Sequence, residues 1–245
     1  MMILVVVLSR NEEKNIKDCL QSIKDLASEI IIIDDYSTDK TLKIAKDFGA
    51  KVFLRHLNDD FSGQRNFGLE KAKNKWVMFL DADERVTDEL AQEITTTISK
   101  NEDVNGYFFK RNDFFSGRFL KHGETANVRL LRLAKKDSGS WQRKVHEIWN
   151  VKGQTKEFKN PLLHYPHSTI TVFLKEINFY SSLHAESLKK EGMKPSLLRL
   201  IFNPLVKFIS NYFLKKGFLD GTPGLITALM MSFHSFLARG KLFNL

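Results

Sequence analysis

A single cysteine, Cys19, excludes an intrachain disulfide and suits a reducing compartment. Internal repeats and low-complexity linkers are absent, and 245 residues suffice for one catalytic domain with an appendage. The apolar stretch 225–238 is 14 residues long, short of a bilayer span. The run at 2–8 has no basic lead-in and is too short for a signal peptide; it is expected to form the first strand. After that strand a G-x-G-x-x-G loop is missing, which excludes a dinucleotide-binding unit. Acidic residues are missing between Gly192 and Leu219, so much of the net charge of +9 falls late in the chain. No recognition motif accompanies this basic charge, and nucleic acid is not implied.

What is present is an alternation of strands and helices. Apolar runs at 2–8, 29–33, 51–54 and 75–80 are separated by helical patterns, such as Ile16, Cys19, Leu20, Ile23 and Leu26. Continuous apolar strands joined by helices predict a parallel sheet covered on both faces. Ligands of such sheets bind beyond the carboxyl ends of the strands. Three of the four strands end there in polar groups: Ser9-Arg10-Asn11-Glu12, Asp34-Asp35 and Asp81-Ala82-Asp83. Residues two apart on an extended backbone face the same way, so Asp81 and Asp83 can share one ligand. Unpaired carboxylates at the mouth of a buried strand are costly without a cation or donor-rich ligand. Oxygen ligands suit Mg²⁺ or Mn²⁺, whose shells substrate phosphates complete. The plain alternative is a solvated turn in which Asp83 or Thr87 caps a helix starting near Asp88.

Other proteins that use such letters fit less well. A haloacid-dehalogenase-type phosphatase places its DxD after the first strand, with Thr or Val where this chain has Arg85. A receiver domain has its acidic pair after strand one, whereas Asp34-Asp35 follow strand two. A sugar nucleotidyltransferase would show a Gly-rich loop near the N-terminus.

Four blocks together, Ser9-Arg10-Asn11-Glu12-Glu13, Ile31 to Thr41 with Asp34-Asp35-Tyr36-Ser37-Thr38-Asp39, Gln64-Arg65-Asn66-Phe67-Gly68 and Phe79-Leu80-Asp81-Ala82-Asp83-Glu84, resemble a family 2 glycosyltransferase of the GT-A fold. Later segments, Arg129 to Arg132, Val145-His146-Glu147, Leu163-His164-Tyr165 and Gly217-Phe218-Leu219-Asp220-Gly221, are similar to the subgroup of lipopolysaccharide-core β-1,4-glucosyltransferases.

The resemblance implies transfer of a sugar from a nucleotide diphosphate to a hydroxyl. Ser9 and Glu12 would line the base and ribose pocket. Asp34 would accept a hydrogen bond from the uracil imide, as an acceptor-only carboxylate can. Arg65 would approach the nucleotide or diphosphate; otherwise it is a solvated helix-face arginine. Asp81 would face the ribose and Asp83 would ligate a metal that bridges the phosphates. Asp35 is expected to orient its own loop, and Asp39 or Ser37 to cap the next helix. Glu147 is the candidate base for the acceptor hydroxyl, the alternative being a strand-edge salt bridge. As its strand neighbour, His146 would face the opposite way. Relatives often use an aspartate from an Asp-rich turn, for which only Asp113 and Asp137 lie between Asp103 and Trp141. His164 would complete the metal's protein ligands, or else be a hydrogen-bonded core histidine. Arg129 and Arg132 could steady an anionic acceptor or only decorate their strand; His184 and His234 read as structural.

From Ile170 onward, lysine and arginine outnumber acidic residues 10 to 4. Within 197–215 a helix would gather Leu198, Ile201, Phe202, Leu205, Phe208 and Phe213 on one face, with Arg199, Lys207 and Lys215 opposite. Pro204 should kink this helix or start a second piece with Asn203 as its cap. Bulky apolar residues opposite cations suit a helix lying in a membrane interface, although both late helices could instead only cover the catalytic domain.

The expected whole is an α/β GT-A catalytic domain at 1–165 and a helical, membrane-associated extension at 166–245. Its expected function is metal-dependent, inverting transfer of a hexose, glucose from UDP-glucose, to a lipid-linked saccharide at the inner face of the cytoplasmic membrane. A different nucleotide-sugar donor with a capsule, glycan or protein acceptor is the enzymatic alternative. A non-catalytic, membrane-associated sugar-nucleotide-binding protein is the alternative of another class.

Overall fold

The computed structural model describes residues 2–100, 103–144, 147–166 and 169–244, apart from the side chain of Asn127. His146, read above beside Glu147, lies outside the described residues.

The N-terminal elements are β1 (Ile3–Ser9), α1 (Ile16–Ser22), β2 (Ala27–Asp34), α2 (Thr41–Asp47), β3 (Lys51–Leu54), α3 (Phe61–Lys71), β4 (Trp76–Asp81), β5 (Glu84–Arg85) and α4 (Asp88–Lys100). Strands follow: β6 (Val104–Phe115), β7 (Arg118–Phe119), β8 (Arg129–Lys135), β9 (Gly139–Gln142), β10 (Ile148–Val151), β11 (Gln154–Glu157) and β12 (Leu162–His164). Three helices close the chain, α5 (Ile170–Lys190), α6 (Leu197–Ile209) and α7 (Gly221–Lys241). β1 lies between β2 and β4, parallel to both, and β3 continues the parallel edge. β8 joins β4, and β6 joins β8, both antiparallel. The sheet is mixed, parallel from β3 through β4 and antiparallel beyond it, and with its flanking helices and helical C-terminal stretch it is the α/β class expected from the apolar runs.

The chain divides into two compact units, one of Met1–Arg111 with Arg129–His164, the other of Asn112–Val128 with Tyr165–Leu245. The segment 112–128, placed above with the catalytic domain, therefore groups with the C-terminal helices.

In the first unit the alternation of side chains along a strand makes two cores. Ile3, Val5 and Val7 of β1 pack with Ile16, Cys19 and Leu20 of α1 and with Leu90 and Ile94 of α4. Leu4 and Val6 pack on the other face with Leu69, Trp141 and Trp149. The Gln64 to Gly68 block fixes α3 to that second face. A Cβ at Gly68 would stand 2.6 Å from Cγ1 of Val6, a buried side chain that is stiff about χ1, so only glycine lets the helix lie so close. Asn66 clamps β9: its Nδ2 donates to the Trp141 carbonyl, and its Oδ1 accepts from the Trp141 amide, both at 2.9 Å. Asp60 caps the helix, accepting from the Gly63 amide at 2.8 Å, and this hydrogen bond, ahead of a smaller opposing effect of burial, lowers its pKa.

In the second unit α5 and α7 share a core with Phe115, Leu120, Phe173 and Ile177. Asp220 accounts for the Gly217 to Gly221 motif. Buried at the start of α7, it accepts from the backbone amides of Lys121 and His122, and its other oxygen lies 3.0 Å from Nδ1 of His122. His184 and His234 stack with ring centroids 5.4 Å apart, and burial, aided by His184, pushes His234 down to about 4. Of the two alternatives for Pro204, the start of a second helical piece fails here. Pro204 sits buried inside α6, which continues to Ile209 before a π turn at Ser210–Leu214. Asn203 therefore caps no second helix, and with its amide oxygen turned to Arg239 it accepts from that guanidinium.

Candidate active site

The parallel register sets Ser9 opposite Asp34 on one side of β1 and Leu8 opposite Asp81 on the other. The polar ends of β1, β2 and β4 are thus neighbours, as crevice sites of such sheets require.

Asp34 is fully buried, and its own loops supply its donors. Oδ1 accepts from the Ser37 amide at 2.6 Å, and Oδ2 from Ser9 Oγ at 2.7 Å and Ser37 Oγ at 2.6 Å. Glu12 lies in the loop before α1, its amide donating to Thr41 Oγ1 at 2.7 Å and its carboxylate accepting from Asn15 Nδ2 at 2.8 Å. Asp35 steadies its loop through the Leu57 amide and Arg10, while Asp39 accepts from the Thr41 amide at the head of α2. Between these loops Tyr36, at φ +52°, stacks its ring on His56 with centroids 4.0 Å apart. Both rings are exposed.

A run of ion pairs occupies the end of β4. Arg65, only 2 % exposed, joins Asp81 Oδ1 through Nη2 at 2.8 Å and Glu147 Oε1 through Nε at 2.9 Å. Its guanidinium lies 4.7 Å from the Trp141 ring centroid, held there by the Asn66 clamp. Arg132 reaches Asp81 Oδ2 at 2.5 Å and Glu84 Oε1 at 3.2 Å. Glu84 is wholly buried, and its other oxygen accepts from the Asp81 amide at 3.0 Å. Burial works to raise the Asp81 pKa, but Arg132 and Arg65 prevail and hold it far below the ordinary aspartate value. For Glu84, burial outweighs Arg132 and the value rises. Nη1 of Arg65 and Nε of Arg132 are buried with no hydrogen-bond partner among the described residues.

Asp83 lies just beyond β4. Its Oδ2 is 3.3 Å from Nε2 of His164, and its Oδ1 is buried without a hydrogen-bond partner among the described residues. The antiparallel pairing of β12 with β5, which sets His164 opposite Glu84, makes this meeting possible. Thr87, not Asp83, serves the helix start, its Oγ1 accepting from the Leu90 amide at 3.2 Å. An orphaned carboxylate oxygen beside an imidazole fits a Mg²⁺ or Mn²⁺ ion that keeps most positions for water and phosphate. Among the described residues no group of three or more His, Cys, Asp or Glu side chains is set to hold an ion, so substrate and water would complete the shell.

The structure thus brings Arg65, Asp81 and Glu147 into one run, Asp83 to His164, and Ser9 to Asp34. Arg65 is no solvated helix arginine. Glu147 does not continue β9, which ends at Gln142; it directly precedes β10. Alternation of strand faces therefore does not fix its direction. Arg132 and Glu84 are the partners that the sequence reading left out of the site. A signal existed for Arg132: an arginine inside the apolar run Leu130 to Ala134 must find a counter-charge if that strand is buried. Arg129 instead pairs at the surface with Glu157 at 3.2 Å.

The protein-family model for Glycosyl transferase family 2 matches residues 4–178. An uncharacterized glycosyltransferase of Rickettsia bellii (strain RML369-C) is 29% identical over 253 residues, covering 96% of this chain and 84% of that protein. The lipopolysaccharide core biosynthesis glycosyltransferase LpsC of Rhizobium meliloti (strain 1021) is 27% identical, covering 97% of this chain and 90% of its own length. A solved structure of glucosyl-3-phosphoglycerate synthase from Mycobacterium tuberculosis is 23% identical over 47% of this chain and 44% of that one, with a TM-score of 0.39. That last likeness is too partial to argue from. Since the family match runs through both cores of the first unit and every strand end of the site, the chain belongs to glycosyl transferase family 2.

Proposed function

We propose that this glycosyltransferase moves a hexose, glucose from UDP-glucose, onto a lipid-linked saccharide of the lipopolysaccharide or lipooligosaccharide core type, with inversion and with Mg²⁺ or Mn²⁺. The observation that carries the reading is the Asp83–His164 pair, with its orphaned oxygen, beside an Asp81 already neutralised by two arginines. Asp83 and His164 would hold the ion, and when bound it would offset the charge of the departing diphosphate. The unpartnered Nη1 of Arg65 and Nε of Arg132 are suited to donate to phosphate oxygens. Glu147, held by Arg65, would take the proton of the acceptor hydroxyl as that oxygen bonds to the sugar's anomeric carbon. The bond from that carbon to the diphosphate breaks, and its electron pair leaves with UDP.

The core-biosynthesis name of LpsC supports an envelope saccharide as acceptor. No described helix is long and apolar enough to cross a membrane; a lipid-linked acceptor would place the enzyme against the inner face of the cytoplasmic membrane. Asp34, Ser9 and Glu12 are proposed to shape the nucleoside pocket, with Asp34 free to meet the uracil imide only if Ser37 gives way.

Titration of UDP with and without Mn²⁺ tests the metal site. The parent should bind UDP more tightly with Mn²⁺, and Asp83→Asn, beyond the strand end, should keep its fold and lose that gain. A variant that still transfers sugar at the parent rate would remove the metal from the reading.

The exposed ring pair offers the nucleobase a flat surface at the ends of β2 and β3. Base–aromatic stacking contributes about 1–3 kcal/mol, so Tyr36→Ala should weaken UDP binding by roughly five- to 150-fold. Tyr36→Phe should bind as the parent does, and pyrophosphate should bind all three proteins alike. Equal UDP affinity in Tyr36→Ala would assign the base elsewhere.

A further inference from the structure

Helix α6 is turned inside out. Leu198, Ile201, Phe202, Leu205 and Val206 are each more than half exposed, and Leu214 in the following turn is 75 % exposed. The polar side of the helix faces its own unit instead. Lys207 pairs with Glu124 at 2.5 Å, Asn203 meets Arg239, and Ser232 Oγ donates to the Pro204 carbonyl at 2.8 Å. A helix on a water-facing surface has the reverse arrangement, and an apolar patch of this extent on one element marks an interaction surface.

We infer that the outward face of α6 and the turn after it is where this protein docks on an anionic lipid bilayer. The charge of this segment selects that occupant. Lys194, Arg199, Lys215 and Lys216 are exposed on α6 and the segments on either side of it, and no acidic residue lies between Gly192 and Leu219. A second copy of the chain would bring the same cations against each other, which disfavours self-pairing, whereas anionic headgroups complement them. The apolar side chains then enter the acyl boundary while the helix lies in the interface plane. The docking surface rests on the proposed lipid-linked acceptor for its purpose, but not for its geometry. Phe208, grouped with this face in the sequence, is half-buried and stacks on Tyr212, so it belongs to the inner support.

Co-sedimentation with vesicles tests the inference. The parent should sediment with phosphatidylcholine vesicles containing phosphatidylglycerol, far less with phosphatidylcholine alone, and less as salt rises. Phe202→Ser, Val206→Ser and Leu214→Ser combined should abolish sedimentation. Each of Arg199→Glu, Lys215→Glu and Lys216→Glu should lower affinity for the anionic vesicles by about fivefold or more. If the triple variant melts below the parent, Leu214→Ser alone, at the most exposed of these positions, should still weaken binding. A parent that ignores both vesicle types overturns the inference. So does a parent that is dimeric by light scattering and that the triple variant makes monomeric, since the face would then belong to a second copy. Transfer to a lipid-free acceptor separates the two readings. A triple variant active there but blind to vesicles supports the docking surface. A parent that binds vesicles yet transfers nothing would sink the enzymatic proposal and spare the surface.

Discussion

Arg132→Met is expected to destabilise the first unit by about 3–5 kcal/mol, the usual result of removing one partner from a buried ion pair. The guanidinium bridges Asp81 and the wholly buried Glu84, and methionine would leave the Glu84 carboxyl buried without its Arg132 partner. Urea unfolding followed by tryptophan fluorescence suits the measurement, because Trp141 and Trp149 lie buried in the adjoining core. A second substitution sharpens the test. Glu84→Gln keeps an acceptor for the Asp81 amide and removes a buried charge, so it should restore part of the loss in Arg132→Met. In the parent the same change should help little, since there the charge is matched. A loss below about 1 kcal/mol, or no rescue by Glu84→Gln, would mean that solvent already screens the cluster and that Arg132 is not its keystone.

Glu147→Gln should reduce transfer by about 10²- to 10⁴-fold, the range for loss of a general base, while UDP binding in the presence of Mn²⁺ stays near that of the parent. The amide oxygen of glutamine can still accept from Nε of Arg65, the contact the carboxylate makes at 2.9 Å, so the scaffold should survive. What is lost is the capacity to take a proton from the acceptor. Single-turnover transfer and donor binding, measured on the same preparation, separate these roles. Reduced donor affinity or a lower melting temperature with unchanged transfer would assign Glu147 to the support of Arg65 and leave the base to another carboxylate.

Much of this site was readable from local pattern. Strand ends announce themselves where an apolar run stops at a polar residue, so Ser9, Asp34, Asp81 and Asp83 could be named before any strand was paired. Asn66 and Gly68 were visible as letters of a motif but not as devices. Their reasons are a clamp on a strand some 75 residues away and a close approach to Val6. Arg65 shows the limit most clearly. Helical spacing puts it on a face, yet whether that face meets water or the Trp141 ring depends on where β9 returns.

By itself the sequence determined the βα alternation, the parallel pairing it demands, the polar ends of β1, β2 and β4, and the amphipathic character of 197–209. These follow from periodicity and chain direction, which are properties of a few neighbouring residues. Only the tertiary structure decided that Arg132 and Glu84 complete the charge run, that His164 reaches Asp83, that 112–128 groups with the late helices, and that α6 turns its apolar side outward. Each of these depends on which distant segment lies alongside. An amphipathic pattern says that a helix has two unlike faces, but not on which side the rest of the protein stands.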